Sequence, residues 1–252
     1  MVSKLLTLLS AAPAALGAAL AATNTNLQTA FPASSGTTAL AAVKTIAAGQ
    51  SFDGGLKQWD RSPSTCKDQA EGGDADAVFL LEDGAVLSNV IIGPNNGEGV
   101  HCKGTCTLNN VWWTDVCEDA ATFKQTSGTS YVNGGGARGA EDKVLQHNGG
   151  GTVAVKNFLA SSIGKLYRSC GNCDKQYARK STFSNVKVSG GKVVAGVNVN
   201  YGDATTISGS CVVGGALCWL YEGNNNGKEP TKVGSGPSGT ACATSAIKTS
   251  GC

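Results

Sequence analysis

Charge is scarce in this sequence. Only 15% of its 252 residues are Asp, Glu, Lys or Arg, against about a quarter in an ordinary globular protein. A helical bundle or coiled coil needs far more charge on its outer faces, which argues against both. The formal net charge of +2 excludes a strongly basic nucleic-acid binder. Aromatic residues make up 6%, and His101 and His147 are the only histidines. No Ser lies near a His and an Asp in triad-like context, no G-x-S-x-G occurs, and no Gly-rich phosphate loop leads from a strand into a helix. Beyond the N-terminus no run of 18 apolar residues is found, so no membrane span is expected.

What the chain does have is glycine, 35 residues of it, and 41% apolar residues, enough to bury a core. That mixture favours many short strands joined by tight turns. Residues 1–22 read as a secretory signal peptide: Lys4, then the apolar run from Leu5 to Leu9, then small residues from Gly17 to Ala22. Secretion to an extracellular location is therefore expected, with no membrane attachment once the signal is removed. An even set of ten cysteines in an exported chain implies up to five disulfides, with connectivity left open. A competing zinc reading of Cys102-x3-Cys106 and Cys170-x2-Cys173 is disfavoured by the oxidising compartment.

From residue 85 onward a pattern recurs: a short alternating strand, then Asn or Gly, then a second β-branched strand. Asn89, Asn110, Asn133, Asn157 and Asn185 mark five copies and Gly209 a sixth. A drifting period in the low twenties is the signature of a solenoid. We expect an all-β fold, a right-handed parallel β-helix in one compact domain, with the repeated Asn stacked as a ladder at a bend that favours left-handed backbone. A β-sandwich would repeat at about 8–12 residues instead. The expected domain spans 23–221. Residues 222–252 read as a Gly/Asn/Pro-rich crossing and a cysteine-anchored tail, without an appended aromatic sugar-binding module.

Three acids recur at one coil spacing. Glu98 precedes one copy, and Glu118 with Asp119 follows it. Converging carboxylates repel one another, and a hard divalent cation such as calcium (Ca2+) relieves that with oxygen ligands. Lys124, Lys143, Lys165 and Arg168 recur over the next coils, Lys143 and Lys165 again one coil apart. Cations beside a carboxylate-held metal describe a cleft for a polyanion. His101, in a strand-like stretch, reads as structural.

The motifs VFLLEDGAVLSNVIIG, EGVHCKGTCTLNNVWW, DVCEDA, DKVLQHNGGGTVAVKNF and IGKLYRSCGNC, within residues 36–220, closely resemble the fungal branch of the pectate lyases of polysaccharide lyase family three. The resemblance implies a secreted, calcium-dependent parallel β-helix, expected to act as a monomer. It would cleave polygalacturonate, the de-esterified pectin of plant cell walls, by β-elimination. It further implies that Glu98, Glu118 and Asp119 ligate calcium and that Lys143 is the base. Lys165 and Arg168 would bind substrate and stabilise charge, with Lys124 in the same cationic set and Glu71 a further cleft acid. Thr114 departs from the pattern, standing where the family motif has an acid. Two other functions fit the same residues in outline: a hydrolase of the same polymer, which wants acid and base carboxylates, and a non-catalytic pectin-binding protein.

Overall fold

A computed structural model describes residues 23–252; the expected signal peptide lies outside the described residues. The chain winds as a parallel β-solenoid of about 8 turns with almost no helix. Every coil contributes to three parallel faces. The first stacks the start of Ala85–Ile92 on that of Cys106–Trp113, then Thr129–Asn133, Thr152–Lys156, Lys180–Ser184, Ala204–Ser208 and Cys242–Ser245. The second follows the bend, from residues 90–92 and 111–113 through Gly136–Arg138 to residues 159–161, 187–189 and Cys211–Val213. The third runs from Lys44–Ile46 through Phe79–Leu81, Val100–Cys102, Ala121–Phe123 and Lys143–His147 to residues 165–168, 193–198 and Ala216–Glu222.

Side chains that point inward meet their equivalents one coil away. Leu87, Leu108, Val132, Val155, Phe183 and Ile207 are successive partners on the first face, and all are buried. Full burial of each such side chain is worth roughly 1.5–3 kcal/mol over exposure, so this column alone is a major part of the core.

The bend between the first two faces is a column of left-handed residues. Leu56, Asn89, Asn110, Gly134, Asn157, Asn185, Gly209 and Ala246 all have φ between 52° and 69°. Asn and Gly dominate because they adopt that conformation at little cost. Asn110 Nδ2 donates to Asn89 Oδ1 at 2.9 Å, and Asn185 Nδ2 to Asn157 Oδ1 at 2.8 Å. Asn133 does not belong to this ladder. It pairs with Asn109, one residue before the bend, and Gly134 takes the bend position. The interruption is used by the N-terminal segment: Asn157 Nδ2 donates to Thr25 O at 2.8 Å, and Phe31 packs on Trp112 at 4.9 Å between ring centroids. This segment covers Ile91, Trp112 and Leu159, which is why the second half of those strands is buried on both sides.

All ten cysteines are paired: Cys66–Cys117, Cys102–Cys106, Cys170–Cys173, Cys211–Cys252 and Cys218–Cys242. Both short spacings considered for zinc are therefore bridges. Among the described residues no helix is long and apolar enough to cross a membrane.

Candidate active site

The third face builds the site, because there the coil register places acids directly below bases. Lys143 and Lys165 are register partners. Two residues upstream of the Ala121–Leu145 and Val100–Ala121 pairs lie Asp119 and Glu98, so one column reads Glu98, Asp119, Lys143, Lys165 along the solenoid axis. Glu118 stands beside it. Ligand oxygens of Glu98, Glu118 and Asp119 lie within 4.8 Å of one another, and all three residues are buried.

In this structure Lys143 is the counter-charge of that acid cluster. Its Nζ donates to Glu118 Oε1 at 2.6 Å and lies 3.2 Å from Asp142 Oδ2 and 3.5 Å from Asp119 Oδ1. Burial, the largest influence on it, pulls its pKa down, but Asp119, Glu118 and Asp142 together outweigh burial and hold it above the ordinary lysine value. Burial drives Asp119 the other way, well above the carboxylate range; Lys143 opposes this, and Glu118 and Glu98 add to it. Glu118 Oε2 and Asp119 Oδ1 are buried without a hydrogen-bond partner. Buried carboxylate oxygens that lack a hydrogen-bond donor, Asp119 Oδ1 having only the longer ion pair to Lys143, fit a hard cation such as calcium, which satisfies both lone pairs and charge.

Around the cluster, further groups fix the ligands. Glu98 accepts from the Gly72 backbone N–H at 2.7 Å, and its other oxygen is 2.9 Å from His101 Nε2. His101 Nδ1 is 2.7 Å from Asp74 Oδ1. The structural histidine of the sequence is thus the link that orients a candidate metal ligand. Gly72 and Asp74 sit in the loop after Cys66, tied back to the site by the Cys66–Cys117 bridge.

Lys165, Arg168 and Glu71 share a cleft of about 500 Å³ with Lys143. Lys165 donates to Asp142, which the two lysines hold below the ordinary carboxylate range against the opposing pull of burial. Burial, then Glu118, raises Glu71. Arg168 is anchored on three sides. Its guanidinium donates to Ser169 O at 2.6 Å and Asn198 Oδ1 at 3.0 Å, and stacks 3.9 Å above the Tyr221 ring. Lys124 is not brought to this cleft. It donates to Asp74 Oδ1 at 2.8 Å, beside Lys103, which donates to Asp74 Oδ2 at 2.7 Å.

Residues 28–228 match the family described as Pectate lyase. The chain belongs to the pectate lyase family. Probable pectate lyase E of Neosartorya fischeri is 54% identical over 214 residues, 84% of this chain and 83% of that one. Pectate lyase E of Emericella nidulans is 53% identical over 210 residues, 82% of each. Among solved structures, the catalytic domain of pectate lyase PelI from Erwinia chrysanthemi superposes with a TM-score of 0.68 at 30% identity, covering 86% of this chain and 98% of that one. PelI with tetragalacturonic acid bound gives 0.67 at 30% identity, covering 86% and 70%. This protein is thus an enzyme of pectate lyase type, with the parallel β-helix and disulfides expected of its sequence.

Asp74, Asp142, Asn198 and Tyr221 were not singled out from the sequence. Asp142 alone carried a signal, since it immediately precedes Lys143 and so shares its coil position. Asp74 lies outside the repeat, and Asn198 and Tyr221 reach Arg168 only through coil stacking.

Proposed function

We propose that this is a secreted, calcium-dependent pectate lyase that cleaves polygalacturonate by β-elimination. The observation that carries the reading is the column in which two buried acids lie directly beneath two lysines on successive coils. Glu98, Glu118 and Asp119 would hold the calcium ion. When bound, the ion supplies positive charge against a uronate carboxylate, which makes the neighbouring C5 proton more acidic.

Lys143 is the proposed base. Its Nζ takes the C5 proton, and the C4–oxygen bond then breaks to leave an unsaturated uronide. For this it must be neutral, which the acids around it oppose in this structure. Lys165 and Arg168 bind substrate carboxylates and stabilise the charge that builds during proton removal. Arg168 is the weaker candidate for the base, because guanidinium hardly deprotonates. Glu71 lines the substrate cleft, and Lys124 contributes at a distance, through the Asp74–His101 link to Glu98. A hydrolase would need a separated acid and base; the buried acids here are clustered around Lys143 instead.

The test is ultraviolet absorbance of the products from polygalacturonate, with chelator and after calcium is restored. Unsaturated ends that vanish with chelator and return with calcium are expected. Saturated reducing ends would mean a hydrolase, and intact polymer a binding protein.

A further inference from the structure

We propose that Arg179, buried behind the cleft wall, is a positioning residue for Arg168: it grips the Ser169–Cys170 turn from behind, and that turn seats the substrate-binding guanidinium. The proposal rests on the lyase reading above and adds a residue to its machinery that touches no substrate.

Arg168 is seated on the turn that follows it. Its Nη1 donates to Ser169 O at 2.6 Å and to Asn198 Oδ1 at 3.0 Å, and a Cβ at Gly171 would collide with its Nη2. The guanidinium is therefore only as fixed as residues 169–171. Cys170, Gly171, Asn172 and Cys173 all line the cleft. The Cys170–Cys173 bridge spans three positions of this one loop. It sets the loop's internal shape but does not tie the loop to the solenoid, so other groups must do that.

Arg179 supplies the tie. It is 1% exposed and among the largest fully buried side chains of the protein. Nε donates to Gly149 O at 2.6 Å and Nη2 to Asn148 O at 2.8 Å. Nη1 donates to Cys170 O at 3.0 Å, Ser169 Oγ at 3.3 Å and Gln176 Oε1 at 2.8 Å. His147 and Ser169 are register partners, so Asn148 and Cys170 leave the third face on successive coils. One guanidinium thus staples the exit of the Lys143 coil to the exit of the Lys165 and Arg168 coil.

Arg179 is itself held in place. Its backbone N–H donates to Asp203 Oδ1 at 2.9 Å, and the other oxygen of that carboxylate accepts from Asn198 N–H at 2.7 Å. Asn198 Nδ2 in turn donates to Ser169 Oγ at 3.0 Å and Cys170 O at 2.9 Å. Arg168 and Arg179 therefore clamp the same turn, one from the cleft and one from the interior, with Asn198 between them.

The residue type fits this task. Burying a guanidinium carries a desolvation cost that an apolar core residue avoids, and all five side-chain acceptors here are neutral. A planar fork with donors on three nitrogens can meet acceptors on two coils at once. A lysine ammonium is a single point and cannot.

The experiment measures kcat and KM on polygalacturonate, reading unsaturated product well below Tm, for wild type, Arg179→Lys, Ser169→Ala and the same two substitutions in an Arg168→Lys background. Ile207→Val, a buried core substitution on the first face, is the stability control. Arg179→Lys should raise KM roughly three- to tenfold, the size of about one lost hydrogen bond, with kcat changed less. Ser169→Ala should move KM in the same direction. It removes one hydroxyl, keeps every carbonyl, and decides the question if Arg179→Lys does not fold. In the Arg168→Lys background, where the seated guanidinium is already gone, each substitution should add less than about a twofold change. Ile207→Val should lower Tm and leave KM alone. Full effects persisting in the Arg168→Lys background, an unmoved KM, or an equal KM rise in Ile207→Val overturns the positioning role and leaves the lyase standing. No unsaturated product from wild type overturns the lyase reading and this proposal with it.

Discussion

Lys143 Nζ lies 2.6 Å from Glu118 Oε1, so the proposed base occupies the position of counter-ion to the proposed metal ligands. Calcium and the ammonium would therefore compete for the same carboxylates. In Lys143→Met, metal-free protein is left with three buried acids and no counter-charge, which should cost about 3–5 kcal/mol. Added calcium should then raise Tm more in the variant than in wild type. Its kcat should fall by roughly 10²–10⁴ with a smaller change in KM, as for loss of a general base. Equal calcium-induced Tm rises would contradict the competition, and a retained kcat would move the base to another residue.

Arg168 owes its aim to Tyr221 and Asn198. Tyr221→Leu removes the stacking face and is expected to lose roughly 0.5–2 kcal/mol of positioning, seen as a two- to thirtyfold rise in KM on polygalacturonate. Asn198→Ala removes the Oδ1 acceptor and should act in the same direction, with lower stability because Asn198 also donates to Ser169 Oγ and Cys170 O. Steady-state kinetics with both variants checks this; an unchanged KM in both would mean that Ser169 O alone holds the guanidinium.

His147 makes the fold sensitive to acid. It is fully buried between Tyr167 Oη at 2.8 Å and Gly150 O at 2.9 Å, and burial lowers its pKa from 6.5 to about 4. The unfolded chain therefore binds a proton that the folded chain refuses between those values. The associated stability is fully present above about pH 6.5 and is lost as pH falls towards 4, amounting to about 3 kcal/mol. Urea denaturation of wild type and His147→Gln at several pH values should show a shallower acid decline for the variant. Parallel pH profiles would refute the assignment.

Gly134 is the gap in the Asn ladder. A Cβ there would come 2.8 Å from Thr25 Cα, at a φ of +69°. Gly134→Ala should cost at least about 1–2 kcal/mol from the left-handed backbone alone and lift the N-terminal segment off the bend. Limited proteolysis should then cut within residues 23–35 before the solenoid is degraded. Unchanged protection of that segment would show that it is held elsewhere, as by Phe31 on Trp112.

The spacing of Glu98, Asp119, Lys143 and Lys165 was legible in the sequence because a solenoid turns sequence period into spatial adjacency. Lys124 shows the limit of that rule. It shares the period but sits several residues further round its coil, so its ammonium faces Asp74 and not the cleft. Asn133 shows the same limit at the bend, where a one-residue offset handed the ladder position to Gly134.

By itself, the sequence determined the coil repeat, the Asn bend and the clustering of acids below lysines, since each follows from local backbone preference and a regular period. Only the tertiary structure decided the five disulfide pairings, the ion pairs of Lys143 with Glu118, Asp119 and Asp142, and the stacking of Arg168 on Tyr221. It also decided that Glu229 and Pro230 line the cleft. These depend on which side chains meet across coils and loops, and on how deeply they are buried, neither of which has a period to read.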